Sequence, residues 1–316
     1  MLNGKFTFRH IGARHHSHSD RTSATLALLV LSKVMDCRRR KRLALALVIG
    51  AGLVLALAPT VRPVHASDAP HHPCPPEMAL TAGTCMDRYE ARLLERGDDG
   101  SLKPFPPFAR PKNGTFVAES RADVRPQGYI SQVEAASACL NAGKRLCTLT
   151  EWYRACRGEH DTLYPYGATY ARGRCNVGKP HLLSMLHGDD PNAWSYDTGF
   201  NDPALDQRPG FLAKSGEYSG CVTSDGVFDL VGNLHEWVAD RVDASIAQKL
   251  PLKPEIRARV TRHVGKGVFM GGFFSTMNQH GAGCEFVTMS HEPRYHDYST
   301  GFRCCKDPAG TAESAR

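Results

Sequence analysis

Three sets of side chains in this 316-residue chain could do chemistry: the cysteines, a group of late histidines, and an acidic turn. Of the eleven cysteines, ten follow Ala66. Thiolates can ligate zinc or a soft ion such as Cu(I), act as nucleophiles, or close disulfides. No Cys-x-x-Cys occurs, so the two close-spaced pairs of a zinc site are missing. The even count favours disulfides. His235, His280, His291 and His296 gather in the last third, where histidine and carboxylate could hold a metal. They lack His-x-x-x-His spacing, so solvated or packed roles are the stronger reading. The turn lies in Asp229-Leu-Val-Gly-Asn-Leu-His-Glu-Trp-Val-Ala-Asp240, whose oxygens could bind Ca²⁺ or simply accept turn amides. A Gly-x-Ser-x-Gly nucleophile elbow is absent from the sequence.

The elements that must position these groups are only partly spelled out. Ser131-Gln-Val-Glu134 is a capping box, in which the Ser hydroxyl takes an orphan N–H and the Glu reaches back to the cap. It predicts a helix running to about Asn141 and stopping at Gly143. Thr148-Leu-Thr-Glu151 repeats the device, with an end at Gly158. A first strand is expected over Cys85–Arg92, and a loop without periodicity over Gly97–Pro111. A long Gly/Asp/Asn-rich region extends from Gly158 to about Gly226, and such stretches are usually functional or held by bridges. Short strands are expected at Val227–Leu230, Leu234–Val238, Val268–Gly271 and Gly301–Cys305.

Charge separates the start of the chain from its body. Up to Ala66 there are 11 Lys+Arg against 2 Asp+Glu; the remainder holds 28 against 30. The body is therefore slightly acidic and offers no case for nucleic-acid binding. Arg38–Arg42 precedes the apolar run Leu43–Ala58, and Val64-His65-Ala66 follows, which reads as a secretory signal peptide. Sixteen apolar residues fall short of the usual membrane span of about 20, so anchoring through 43–61 is the second reading. The expected organisation is 1–34 outside the native product, a signal peptide at 35–66 starting from Met35, a linker at 67–77, one domain at 78–307, and a tail at 308–316.

Five motifs in order carry a family resemblance: Asp87-Arg-Tyr-Glu90, Gly143-Lys-Arg-Leu-Cys-Thr-Leu-Thr-Glu-Trp152, Tyr164-Pro-Tyr-Gly167, Gly232-Asn-Leu-His-Glu-Trp237, and Gly301-Phe-Arg-Cys304 with Gly271-Gly272 before it. The chain resembles the formylglycine-generating-enzyme family, also called sulfatase-modifying factors, from about Met78 to Asp307. The resemblance implies a single α+β domain, irregular and C-type-lectin-like, with little regular secondary structure. It also implies that the family's two copper thiols would fall four and nine residues after Gly272, where this sequence has Thr276 and Gly281. The Ser expected after the Gly pair is Phe273. A hydroxyl and a glycine cannot replace two thiolates on a soft ion, so copper-dependent formylglycine formation is expected to be absent.

A replacement thiol could come from Cys284 with a partner such as Cys305, with Met277 and Met289 as soft thioether ligands; the plainer reading is a bridged Cys284 and two packed methionines. By resemblance, calcium would use Asp229, the Val231 carbonyl, Asn233 and Glu236, and a second site would begin at Asn176 and Val177. By resemblance too, Cys156 would bond Cys304; proximity suggests Cys74–Cys85 and Cys139–Cys147, and Cys175–Cys221 with Cys284–Cys305 would complete a set, although sequence alone leaves connectivity open. Three functions remain: a copper-free binding or scaffold module for an unknown protein or small-molecule ligand, an oxidase with rerouted thiols acting on a protein cysteine or secreted metabolite, and a structural envelope protein.

Overall fold

The computed structural model describes residues 72–188, 190, 192, 194–277 and 282–310. The signal-peptide and start-site expectations, linker residues 67–71, Gly281, His280 and residues 311–316 lie outside them. The architecture is α+β and irregular, with short strands in small sheets. In chain order the leading elements are β1 (Met78–Thr81), β2 (Thr84–Asp87), β3 (Ala91–Arg96), β4 (Leu102–Pro104) and β5 (Thr115–Ser120). Helix α1 (Gln132–Asn141), β6 (Arg145–Leu146) and α2 (Leu149–Arg157) follow, then the short helices α3 (Leu182–His187) and α4 (Ala204–Gln207). The chain closes with β7 (His235–Arg241), β8 (Gly267–Met270), β9 (Val287–Thr288), β10 (Thr300–Phe302) and β11 (Cys304–Lys306). Three sheets result, ordered β1-β2-β11-β6, β10-β7-β8-β9 and β4-β3-β5. The pairing of β10 with β7 is parallel.

Both capping boxes form as read: Ser131 with Glu134 starts α1, and Thr148 with Glu151 starts α2. Helix α2 buries Leu149, Trp152, Ala155 and Cys156, a spacing that keeps one face on the core. The expected strand over Cys85–Arg92 is in fact two strands in different sheets, β2 and β3, and the C-terminal strand likewise divides into β10 and β11. Residues 227–230 form no strand; Val222 and Phe228 make an isolated bridge there. Leu102–Pro104, read as loop, pairs with β3.

Five disulfides join all ten cysteines from Cys74 onward: Cys74–Cys85, Cys139–Cys304, Cys147–Cys305, Cys156–Cys284 and Cys175–Cys221. Cys156–Cys304, Cys139–Cys147 and Cys284–Cys305 are therefore corrected. The reason lies in β11, where neighbouring side chains point to opposite faces. Cys304 faces the cluster holding Ala138, Cys139 and Phe302, whereas Cys305 faces the cluster holding Cys147, Trp152 and Met270. Cys156 lies in that second cluster with Cys284, which a 3-10 turn at Gly283–Glu285 brings to it. Such bridges need an oxidising compartment. Among the described residues no helix is long and apolar enough to cross a membrane.

Candidate functional site: a polar hub and an aromatic groove

The motif residues converge, but on a buried polar hub. Arg303 sits between β10 and β11, where the chain leaves one sheet for another, and is 1% exposed. Its guanidinium donates to both Glu236 oxygens at 2.6 Å, to the Asp87 carbonyl at 3.0 Å and to the Phe228 carbonyl at 2.7 Å. Trp152 adds its indole N–H to Glu236 at 2.7 Å, and Lys144 meets the Asp87 carboxylate at 2.6 Å. The Asn233 side-chain amide donates to Glu90, which also accepts the Leu234 N–H at 3.0 Å.

The turn at 229–233 is built into the same hub. Asp229 and Asn233 adopt positive φ of 59° and 58°, a left-handed conformation that Asx residues tolerate. Gly232 also has a positive φ of 87°, and a Cβ there would meet the Asn176 carbonyl at 2.3 Å. Asp229 accepts the Gly216 N–H at 2.6 Å; Asn233 Oδ1 accepts the Asn176 side-chain amide at 2.8 Å and the Ala213 N–H at 3.0 Å. Burial, with further repulsion from Glu236, pushes Asp229 up to about 7. Glu90 is likewise raised, by burial first and by Asp229 and Glu236 next. Asn176 Oδ1 is buried and has no hydrogen-bond partner among the described residues.

The expected calcium set is thus unequal. Glu236 has both oxygens committed to Arg303 and Trp152, and Asn233 has its oxygen committed to two N–H donors. Asp229 and the orphaned Asn176 oxygen retain the character a cation would relieve. Among the described residues no group of three or more His, Cys, Asp or Glu side chains is arranged to hold a metal.

A cavity of about 640 Å³ opens where β8 ends. Gly271 and Gly272 take positive φ of 80° and 76°, and a Cβ on Gly271 would strike the Leu230 carbonyl at 2.4 Å, so the chain can turn here only with glycine. The turn is closed by Thr276, whose hydroxyl oxygen accepts the Phe273 N–H at 2.7 Å. The Phe274 carbonyl accepts the Lys179 N–H at 2.9 Å, tying this loop to residues 178–180.

A chain of ring contacts walls this cavity. His181 stacks on Trp194 at 4.9 Å and meets Phe273 edge-on at 6.1 Å. Phe273 neighbours His235 at 5.0 Å, and His235 neighbours Phe269 at 4.6 Å. Phe269 stacks on His291 at 5.6 Å, His291 on Tyr295 at 3.9 Å, and Tyr295 lies 5.3 Å from Tyr196. Trp194 also meets Phe200 edge-on at 6.1 Å. A second cavity of about 350 Å³ adjoins it and shares Thr276, Met277 and Phe286.

Carboxylates stand beside the belt. Asp297 lines the cavity and accepts the Tyr295 hydroxyl at 2.5 Å, the Ser299 N–H at 2.8 Å and the Ser299 hydroxyl at 2.7 Å. Asp206, on α4, is 1% exposed, and among the described residues neither of its oxygens is hydrogen-bonded. Burial and then the like charge of Asp297 raise Asp206 well above the usual carboxylate range.

The structure brings together some expected site residues and separates others. Thr276, Phe273, Met277, His235 and His291 all line the groove. Met289 packs in the core, and His296 lies buried against Asn201, lowered to about 4 mainly by burial. Cys284 is corrected as a candidate nucleophile: it is fully buried and bonded to Cys156, so it carries no thiol here. Sequence reasoning missed His181, Trp194, Tyr196, Asp206 and Asp297. The signal available was the aromatic and histidine content of 181–200 inside a region otherwise rich in turn residues.

The sulfatase-modifying factor enzyme 1-like domain matches residues 97–308. The chain is similar to a formylglycine-generating enzyme of Thermomonospora curvata, 29% identical over 197 residues, covering 58% of this chain and 56% of that protein. It is similar to the formylglycine-generating enzymes of Mus musculus and Bos taurus at 28% over 114 residues, covering 35% of this chain and 26% of each of those. The chain therefore matches about half the length of the first relative and about a quarter of the mammalian ones. Among solved structures, the Major Tropism Determinant P3c variant superposes with a TM-score of 0.39 at 16% identity, over 74% of this chain and 53% of that one. CarF gives 0.29 at 18% identity, over 69% and 59%.

Proposed function

Because the chain belongs to the family of sulfatase-modifying factor enzyme 1-like domains, we propose that it is an exported, copper-free binding module of that fold. Its receptor is the aromatic groove. The observation that carries this reading is Thr276: its hydroxyl, at the first expected copper position, closes a turn on the Phe273 N–H. Support also comes from the cysteines, since all ten from Cys74 onward are consumed in bridges and leave no thiolate for Cu(I). Export through the basic-apolar leader agrees with the oxidising compartment those bridges require.

The test is a thiol count and Cu(I) titration on the exported domain, before and after mild reduction, with a cysteine peptide assayed for formylglycine. The expected result is no alkylatable thiol, no stoichiometric copper and no product. Copper protection of Cys156 and Cys284 after reduction, together with peptide oxidation, would overturn the reading and restore the rerouted oxidase.

A calcium ion held through Asp229, the Val231 carbonyl and Asn176 is the second part of the proposal. The excess of buried acid around Glu90 and the orphaned Asn176 oxygen support it. Glu236 is left out of the ligand set because Arg303 and Trp152 occupy it. Ca²⁺ at that turn supplies no reactive chemistry; it neutralises buried charge and holds the loop. Millimolar Ca²⁺ should raise the melting temperature of the wild type and leave that of Asp229→Ala unmoved, and an equal response in both would remove calcium from the account.

A further inference from the structure

Strands β7 and β8 are antiparallel neighbours, which a two-residue turn can join, yet 25 residues separate Arg241 from Gly267. The excursion leaves and returns at one place. The Val242 N–H donates to the Lys266 carbonyl at 2.8 Å, and the Gly265 N–H to the Val242 carbonyl at 2.9 Å. Its inner side is apolar, with Ile246, Leu250, Leu252 and Val260 buried in the core. A loop of this length, closed at its neck and packed on the core, is usually functional.

The outer side is cationic. Residues 241–266 hold seven Lys+Arg against two Asp+Glu, whereas the other residues after Ala66 hold 21 against 28. Positive charge is thus gathered on one excursion of an otherwise acidic body. Arg241, Arg257, Arg259 and Arg262 are exposed, and among the described residues none of the four forms an ion pair. Lys249 is paired with Asp240, and Lys266 with Glu292. Of the two acids, Glu255 lies in the helical turn Pro254–Arg257, and Asp243 accepts the Ser245 N–H at 2.8 Å and its hydroxyl at 2.6 Å. Val264 is 62% exposed between Arg262 and Lys266.

We propose that this excursion docks the protein on an anionic phospholipid bilayer. Each Lys or Arg near such a surface adds about fivefold in affinity. The acidic remainder is repelled by the same surface, so docking has one orientation. Val264 enters below the headgroups, while the arginine stems keep their guanidinium groups at phosphate level. A nucleic acid fits less well, because residues 242–266 hold no Phe, Tyr or Trp on which bases could stack.

The experiment is co-sedimentation of the disulfide-intact exported domain with vesicles of phosphatidylcholine, alone or with about one third phosphatidylglycerol, at about 0.1 M salt. The anionic vesicles should carry the protein down and the neutral ones should not. Salt at about 1 M, which shortens the screening length from about 10 Å to about 3 Å, should release it. Arg259→Gln combined with Arg262→Gln should weaken binding by about 25-fold. Val264→Thr should weaken it by about fourfold, the worth of one buried methyl group. All three positions are exposed, so the variants should keep the wild-type melting temperature. Equal sedimentation with both vesicles, or unchanged binding of the double arginine variant, would overturn the proposal. Heparin binding tighter than vesicle binding and lost in that variant would assign the face to a soluble polyanion instead. Self-association of the lipid-free protein, abolished in the same variant, would assign it to the acidic surface of a second copy. None of these outcomes touches the groove, the thiol count or the copper titration.

Discussion

The hub around Arg303 and the groove around Phe273 lie on either side of the same β-strands and are built from opposite materials. At the centre of the hub charges are paired, Arg303 with Glu236 and Lys144 with Asp87, while Asn233 donates to Glu90. In the groove the rings touch one another, and Asp297 is met by the neutral donors Tyr295 and Ser299. The Arg303–Glu236 centre is satisfied and closed, which suits holding a fold together. The groove is walled by rings around a cavity of about 640 Å³, which suits taking a ligand. Disulfides sharpen the contrast, since Cys147, Cys304 and Cys305 flank the hub, whereas the belt residues are held by packing and turns.

The largest break in this contrast comes from the stapled side. Replacing Cys156 and Cys284 by Ala opens a loop with a separation of 128 residues. Chain entropy sets the expected loss at about 5 kcal/mol, read by denaturant unfolding. A loss below about 1 kcal/mol would show that the bridge does not restrain the unfolded chain. Arg303→Met comes next. It leaves Glu236 buried and uncompensated, an expected cost of about 4 kcal/mol. Unfolded or poorly exported protein would be the result in cells, and a variant of wild-type stability would mean that the hub is not a stabilising centre.

Asp206→Asn, buried on α4, should act with the opposite sign. The folded-state pKa of Asp206 is raised, so its contribution is fully favourable below the unfolded value near 3.8 and is lost as pH rises through the folded value. The wild type should lose stability on that side as pH rises, and the variant should lack this slope. At pH 8 the gain should be about 2 kcal/mol, and near pH 4 close to nothing. Melting curves at both pH values decide it, and an equal shift at the two would exclude the titration of Asp206 as the cause.

Legibility in the sequence divided along the same line. The hub and its helices could be read because caps, glycine pairs and charged motif residues act over short spacings: Ser131 with Glu134, Thr148 with Glu151, Gly301-Phe-Arg303. The groove could not, because its belt is assembled from residues as distant as His181 and Tyr295, joined by ring contacts that leave no periodicity. Cysteine pairing failed for a related reason. Proximity in sequence favoured Cys139 with Cys147, but the alternation of Cys304 and Cys305 across β11 draws each to a different partner. The split of the first expected strand has the same origin, since β2 and β3 join different sheets that only tertiary pairing defines.

The order in which the cysteines emerge during synthesis gives the C-terminal strand a role in quality control. Cys139, Cys147 and Cys156 all wait for partners between Cys284 and Cys305, while Cys74–Cys85 and Cys175–Cys221 can close early. Three thiols close together in sequence therefore enter an oxidising compartment well before their mates, free to cross-link wrongly among themselves. Correct maturation of this protein then depends on disulfide shuffling after the last strand has arrived, and truncation ahead of Cys284 would leave a translocated chain that no isomerase could rescue.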